Sequence, residues 1–279
     1  MNIEKTAGLI YPHKALFLSY QKVNKLVRYL FLACFLCTPS IGTQNIHTIT
    51  SYDEVPWEKL GHSPKKIFMF DIYDTQVRMN LLSTIWGAVS HRPIESIKQL
   101  WTYAIHGDKK GIIGLGTLYM DCDLIDKTLL SRIDNLIAND HIVWNLTNLY
   151  TGPLDGTTFE AQTACILDRK QLHRSPILVN GVKVDRVDFQ EYQHAHPVFY
   201  KGVTVNDKRS KVDIMKYRFL PWLQNNTSYH SISDLVYFDD MAGNVKGIEE
   251  VCKEFNINYT GFICNFGHTP ILGDLSEEF

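Results

Sequence analysis

The chain has 279 residues, of which 45% are hydrophobic, enough to bury a sizeable core in one domain with an insertion or in two small ones. Its 28 basic and 30 acidic residues nearly balance, and no basic block stands out, so the charge gives no support to a nucleic-acid partner. No repeat or low-complexity tract is present.

Residues 22–44, "KVNKLVRYLFLACFLCTPSIGTQ", place lysine and arginine before an apolar run from Tyr29 to Cys37, with the small residues Ser40 and Gly42 after it. That is the tripartite plan of a secretory signal, with cleavage expected after Gly42 and an exported, periplasmic or secreted, product. The apolar run is short for a bilayer span. The alternative is an uncleaved anchor or a membrane-surface helix. Of six cysteines, Cys122, Cys165, Cys252 and Cys264 fall beyond the signal. None forms a CxxC pair and no histidine cluster has zinc spacing, so a structural zinc is not expected. Cys252 and Cys264 sit in apolar contexts and read as packed thiols.

Residues 43–64 are polar, contain Pro56 and Pro64, and read as a lead-in segment. Residues 65–71 read as a strand buried on both faces, because Ile67 to Phe70 is apolar without alternation. It ends abruptly in Asp71. Over 79–138, three stretches show apolar residues at three- and four-residue intervals, which predicts helices: 80–89, 93–105 and 124–139. "HIVWNLTN", 141–148, reads as a second buried strand, and 157–173 as a helix. "ILVNGVKVD", 177–185, carries the hairpin signal Asn180-Gly181. "HPVFYKGVTV", 196–205, reads as a strand. "SKVDIMKYRFLPWLQ" predicts an amphipathic helix opened by Ser210 and closing near Pro221. "DLVYFDD", 234–240, is a third strand ending in acids, followed by a helix and a last strand, "YTGFICN".

Strands alternating with helices predict an α/β fold around a mostly parallel sheet. Ligands of such sheets bind at the carboxyl ends of the strands. Asp71, Thr147 and the pair Asp239-Asp240 all fall at strand ends. Convergent carboxylates repel unless a cation lies between them or one takes a proton. Oxygen ligands suit Mg²⁺. A carboxylate beside such a cation is also a candidate nucleophile.

"IFMFDIYDT", "IVWNLTN", the lysine opening "KVDIMKYRFL" and "LVYFDDMAGN" resemble, in order, the four motifs of the haloacid dehalogenase superfamily. The layout is most similar to an exported bacterial group of uncharacterised function within it. The resemblance covers roughly residues 65–265. It implies a Rossmann-like, mostly parallel sheet with helices on both faces and a small helical cap inserted at about 79–138. It also implies a phosphatase-like hydrolase that acts on a small phosphorylated substrate with Mg²⁺. Asp71 would be the nucleophile and a metal ligand, Thr147 and Asn148 would bind the phosphate, and Lys211 would neutralise the nucleophile and the transferred group. Lys208 is nearby, but Lys211 is better placed at the helix start. Asp240 would be the direct metal ligand and Asp239 its neighbour, while Asn244 stands where another acid is common. Tyr73 would contribute its backbone carbonyl to the metal.

Tyr73 is the departure from the pattern. The phosphatases carry an aspartate there, which protonates the leaving oxygen and later activates water. Tyrosine, with an ordinary pKa of about 10, does not match that role near neutrality. Asp74 does not replace it, since adjacent side chains on an extended segment point apart. A catalytically degenerate binding protein is therefore an alternative. The metal-free 2-haloacid dehalogenases share Asp-x-Tyr, but Asp239-Asp240 suits a cation better than a halide. Trp86, Trp101 and Tyr103 read as cap core, and His194 and His196 as loop residues.

Overall fold

The computed structural model describes residues 45–62, 64–80, 83, 84, 87, 90, 98, 102 and 106–267. The signal, most of the first two predicted helices, and Trp86, Trp101 and Tyr103 lie outside the described residues.

The strands are β1 (Ile46–Ile49), β2 (Ile67–Phe70), β3 (Val77–Met79), β4 (Cys122–Leu124), β5 (Ile142–Thr147), β6 (Pro153–Leu154), β7 (Thr157–Thr158), β8 (Ile177–Val179), β9 (Val182–Val184), β10 (Arg186–Asp188), β11 (Val198–Tyr200), β12 (Val203–Val205), β13 (Asp234–Asp239) and β14 (Asn258–Cys264). Between them run the helices α1 (Trp57–Leu60), α2 (Lys109–Leu118), α3 (Thr128–Ala138), α4 (Phe159–Arg169), α5 (Lys211–Ile214), α6 (Leu220–Asn225) and α7 (Ala242–Glu254). Eight strands form one sheet in the order β1-β14-β13-β2-β5-β12-β11-β10. The pairings from β1 to β12 are parallel, and only β11 and β10 run against their neighbours. The fold is α/β, as the alternating pattern predicts.

The order explains where a site can form. From β2 the chain moves to one side, to β5 and β12, then returns to the other side, to β13 and β14. The loops leaving β2 and β13 therefore diverge, opening a crevice at the carboxyl end of β2. Side-chain alternation loads both faces of that strand. Phe68 and Phe70 join one buried cluster with residues of α3 and α4, and Ile67 and Met69 join another with residues of α7 and of the helix that begins at Lys211. Strands buried on both faces need unbroken apolar runs, and β2 and β13 have them.

Four local differences from the sequence reading have physical causes. Residues 43–64 do more than lead in: β1 pairs in parallel with β14, and Tyr52, Val55, Trp57 and Leu60 are core residues. The 196–205 stretch is two antiparallel strands, because Lys201 and Gly202 turn the chain at positive φ. A Cβ on Gly202 would also lie 2.7 Å from Arg174 Cβ. The helix opened by Ser210 does not close at Pro221. It passes through a π turn, Met215–Phe219, and continues as α6 to Asn225. Proline has no N–H to offer the preceding turn, and the Arg218 guanidinium donates to the Tyr217 carbonyl instead at 2.6 Å. Finally, α3 buries Leu129, Ile133 and Leu136 in the main core, so it packs with the sheet. The antiparallel pair β3–β4 brings together the two ends of the 80–121 segment. Among the described residues no helix is long and apolar enough to cross a membrane.

Candidate functional site

The site starts from register. Phe238 lies opposite Phe70 on one side and Phe262 on the other, and the three rings stack with centroids 4.5 and 4.7 Å apart. Each of the first two phenylalanines immediately precedes an acid, so fixing the rings in register sets Asp71 beside Asp239. The Asp71 N–H continues the ladder by donating to the Phe238 carbonyl at 2.8 Å.

The turn after Asp71 is held from three sides. The N–H groups of Gln76 and Val77 both donate to the Ile72 carbonyl, and Gln76 Nε2 donates to the Asp71 carbonyl at 2.8 Å. Asp74 takes φ 54°, a turn conformation that aspartate tolerates, and lies 3.8 Å from Arg78. Tyr52, fully buried, donates its hydroxyl to the Thr75 carbonyl at 2.8 Å. The segment expected to lead in thus braces the loop behind Asp71.

Lys211 is the first residue of α5, and Ser210 caps the helix by accepting from the Asp213 N–H. A Cβ on Gly247 would fall 2.5 Å from Val212, so α7 presses directly on the turn that carries Lys211. The ammonium is buried and lies 2.6 Å from Asp71 Oδ1 and 2.7 Å from Asp239 Oδ2. Burial opposes its charge, but Asp239 and Asp71 outweigh that and hold its pKa above the ordinary lysine value. Lys208 points elsewhere: its ammonium lies 5.4 Å from the centre of the Tyr150 ring.

Asp239 is saturated by its neighbours. Besides Lys211 it accepts from the Tyr237 hydroxyl, from the Met241 N–H at 2.8 Å and from Asn244 Nδ2 at 3.2 Å on each oxygen. Asn244, which stands where an acid is common in the resembled family, anchors Asp239 here. Oxygens of Asp71, Asp239 and Asp240 nevertheless lie within 4.8 Å of one another, the one such grouping of acids, histidines or cysteines among the described residues. Burial first, then the Asp239 and Asp240 charges, push Asp71 up to about 8 against the opposing pull of Lys211. Burial and Asp239 push Asp240 up to about 7. Crowded, proton-hungry oxygens fit a divalent cation, and Asp71 and Asp240 would hold it, since Asp239 is engaged.

Thr147 ends β5, next to β2, and is buried. The register Phe70↔Asn145 sets it one residue beyond the level of Asp71. Asn148 follows it, and its Oδ1 is buried without a partner. The Tyr73 ring packs against the core cluster, and its hydroxyl is also buried and unpartnered. Burial first, then the electrostatics of Cys122 and Asp71, hold that phenol far above the ordinary tyrosine value. A hydroxyl so strongly neutral can donate a hydrogen bond but does not exchange protons near neutrality.

Tyr237, Gln76, Tyr52 and Asn206 escaped the sequence reading. Tyr237 sits within an apolar strand, where a tyrosine reads as packing. Alternation from Asp239 was the available signal, since residues two apart on a strand share a face. His194 is exposed on a loop, 3.4 Å from Glu191, and all four described cysteines are free, Cys122, Cys252 and Cys264 of them buried.

No curated protein matches the chain. The model of one family, described as "Protein of unknown function (DUF2608)", matches residues 70–266, a span that opens one residue before Asp71 and takes in Thr147, Lys211 and Asp240. The chain belongs to that DUF2608 family.

Proposed function

We propose that the chain is a Mg²⁺-dependent, phosphatase-like hydrolase of small phosphate esters that works through an aspartyl-phosphate on Asp71. The observation that carries this reading is the group of Asp71, Asp239 and Asp240 gathered around Lys211 at the carboxyl end of the central strands. An Asp71 oxygen attacks phosphorus, the bond from phosphorus to the ester oxygen breaks, and the departing alcohol takes up a proton. Water then attacks the same phosphorus and returns Asp71 as a carboxylate with release of phosphate. Lys211 offsets the negative charge that gathers on the nucleophile and the equatorial oxygens. At the end of β5, Thr147 supplies a hydroxyl to the phosphoryl group, and Asn148 supplies an amide that donates to it through Nδ2 and leaves Oδ1 for the rest of the ester. A divalent cation shared by Asp71 and Asp240 would supply further neutralisation of the phosphoryl oxygens.

Tyr73 supports a second reading, a degenerate site that binds such esters and turns them over slowly. Its buried phenol does not provide the acid–base step that typically contributes about 10²–10⁴-fold. The tripartite N-terminal pattern supports export of the chain.

Hydrolysis of an aryl phosphate by the purified chain, with Mg²⁺ and with chelator, tests the proposal beside Asp71→Asn. Metal-dependent turnover abolished by the substitution is the expected result. Halide release from a 2-haloacid, indifferent to chelator, would overturn it in favour of carbon-centred displacement.

A further inference from the structure

Beyond the last paired residues of β5 and β12, the ladder continues. The Asn206 N–H donates to the Thr147 carbonyl at 3.1 Å and the Lys208 N–H to the Leu149 carbonyl at 3.1 Å. With Val205 opposite Thr147, this sets Asn206 beside Asn148. The faces follow from alternation. Val203 and Val205 pack in the cluster that holds Phe68 and Phe70, so Thr204 and Asn206 turn to the opposite face. Ile142, Trp144 and Leu146 already occupy that opposite face, and Asn148 continues it. Asp71, following Phe70, falls on it too, as does the helix that begins at Lys211. Asp71, Asn148 and Asn206 thus lie on one face of three adjacent strands, with Asn148 and Asn206 level with each other and two residues, about 6–7 Å, beyond the level of Asp71 toward the carboxyl end.

Asn206 is fully buried, and both ends of its carboxamide lack a hydrogen-bond partner. Asn148 Oδ1 and Thr204 Oγ1 are buried and unpartnered beside it. A buried amide without partners is costly, and one such group in a native structure calls for a cause. The reactive residues are nearly as buried, with Asp71 6% exposed and Lys211 5% against 0% for Asn206. The loop is also held under strain on this side, with Asp207 and Lys208 at φ 54° and 62° and the Asp207 carboxylate pinned by the Thr151 and His196 N–H groups.

We propose that Asn206 and Asn148 form the subsite for the leaving-group end of a hydroxyl-bearing phosphate ester, of the polyol or sugar phosphate class. This rests on the phosphoryl-transfer reading of Asp71. The two amide oxygens accept from ligand hydroxyls, and Asn206 Nδ2 donates to a ligand oxygen. Exchanging N and O of Asn206 leaves the match unchanged, because both atoms want partners. A plain aryl ester offers no hydroxyl to these oxygens.

The test is equilibrium binding to the full-length chain in Mg²⁺, with a hexose phosphate and phenyl phosphate as probes and product quantified in the same samples. The wild-type chain is expected to prefer the hexose phosphate. Asn206→Leu is expected to reduce that preference by about tenfold or more. Its melting temperature should not fall, because the amide it removes had no partner. Asn206→Ala gives the same readout where leucine does not pack. A preference unchanged in these variants, or a wild type that binds both esters equally, would overturn the subsite and leave the phosphoryl-transfer reading standing. Absence of binding to either ester would overturn both.

Discussion

The Lys211 ammonium lies 2.6 Å from an oxygen of Asp71 and 2.7 Å from an oxygen of Asp239. One buried cation thus serves two buried acids, with a third, Asp240, in the same group. Removing that cation leaves like charges with nothing between them. Lys211→Met is expected to cost about 3–5 kcal/mol of stability at pH 8, the range for stripping one partner from a buried ion pair. The loss should shrink toward pH 5, where Asp71 and Asp240 take protons and the repulsion fades. Thermal unfolding of both proteins at the two pH values measures this, and equal losses would count against the shared-cation arrangement.

A pH dependence of the wild-type chain follows from the same crowding. Asp71 and Asp240 sit at about 8 and about 7, above the ordinary carboxylate value of 3.8. Between that value and the raised ones the folded state holds more protons than the unfolded chain. Stability from these two groups is therefore full at low pH and is lost as pH rises through about 7 to 8. A divalent cation competes with those protons and binds only the folded arrangement. The rise in melting temperature on adding Mg²⁺ should accordingly be larger at pH 8.5 than at pH 6. A Mg²⁺ effect that is flat or reversed across this interval would argue that Asp71 and Asp240 do not share a cation.

Tyr52 ties the loop after β1 to the turn after Asp71 through its hydroxyl on the Thr75 carbonyl. Tyr52→Phe keeps the ring contacts with Trp57, Phe238 and Phe266 and deletes that bond together with the hydroxyl's contact to the Cys264 thiol. The carbonyl is then buried without its donor, a loss of about 1–3 kcal/mol. For a chain of this size that is a drop of roughly 2–4 °C per kcal/mol. Calorimetry measures the drop, and turnover of an aryl phosphate should fall as well, because the turn behind Asp71 loosens. Unchanged melting and turnover would show that the brace contributes nothing.

The buried strands were legible because burial on both faces forces unbroken apolar runs, and "IFMF" and "LVYF" leave no room for another reading. The ends of those runs were legible for the same reason, since Asp71 and Asp239 break them abruptly. What fixes the acids was not. Tyr237 donates to Asp239 from inside such a run, and Asn206 follows "VTV", where a polar residue reads simply as the start of a loop. Local pattern also misled at Pro221. Whether a proline ends a helix depends on whether something else satisfies the carbonyl it abandons, and here Arg218 does so. The 43–64 segment looked polar because its apolar residues, Ile46, Ile49, Tyr52, Val55 and Trp57, are spaced for an edge strand and a short helix and do not form a run.

On the phosphoryl-transfer reading, Tyr73 decides whether the site turns over quickly. It would then stand where a carboxyl group protonates the leaving oxygen, and its own hydroxyl is buried, unpartnered and held neutral by burial, Cys122 and Asp71. Tyr73→Asp supplies the missing acid: its proton passes to the departing alcohol, and the resulting carboxylate takes one from the attacking water. The expected gain in kcat for an aryl phosphate is about 10²–10⁴-fold, the usual worth of a positioned general acid–base group. The gain should be larger for alkyl esters than for aryl esters, because a poor leaving group needs the proton more. It comes at a cost to packing, since the Tyr73 ring lies against the core cluster with Val77 and Met120, and losing a partly buried ring of this size costs about 2–4 kcal/mol. The variant is therefore assayed well below its melting temperature and beside Tyr73→Phe, which keeps the ring and drops the hydroxyl. Tyr73→Phe should turn over like the wild type. A large fall in Tyr73→Phe would mean that the phenol itself takes part in the reaction, and no gain in a folded Tyr73→Asp would mean that the position does not face the ester oxygen.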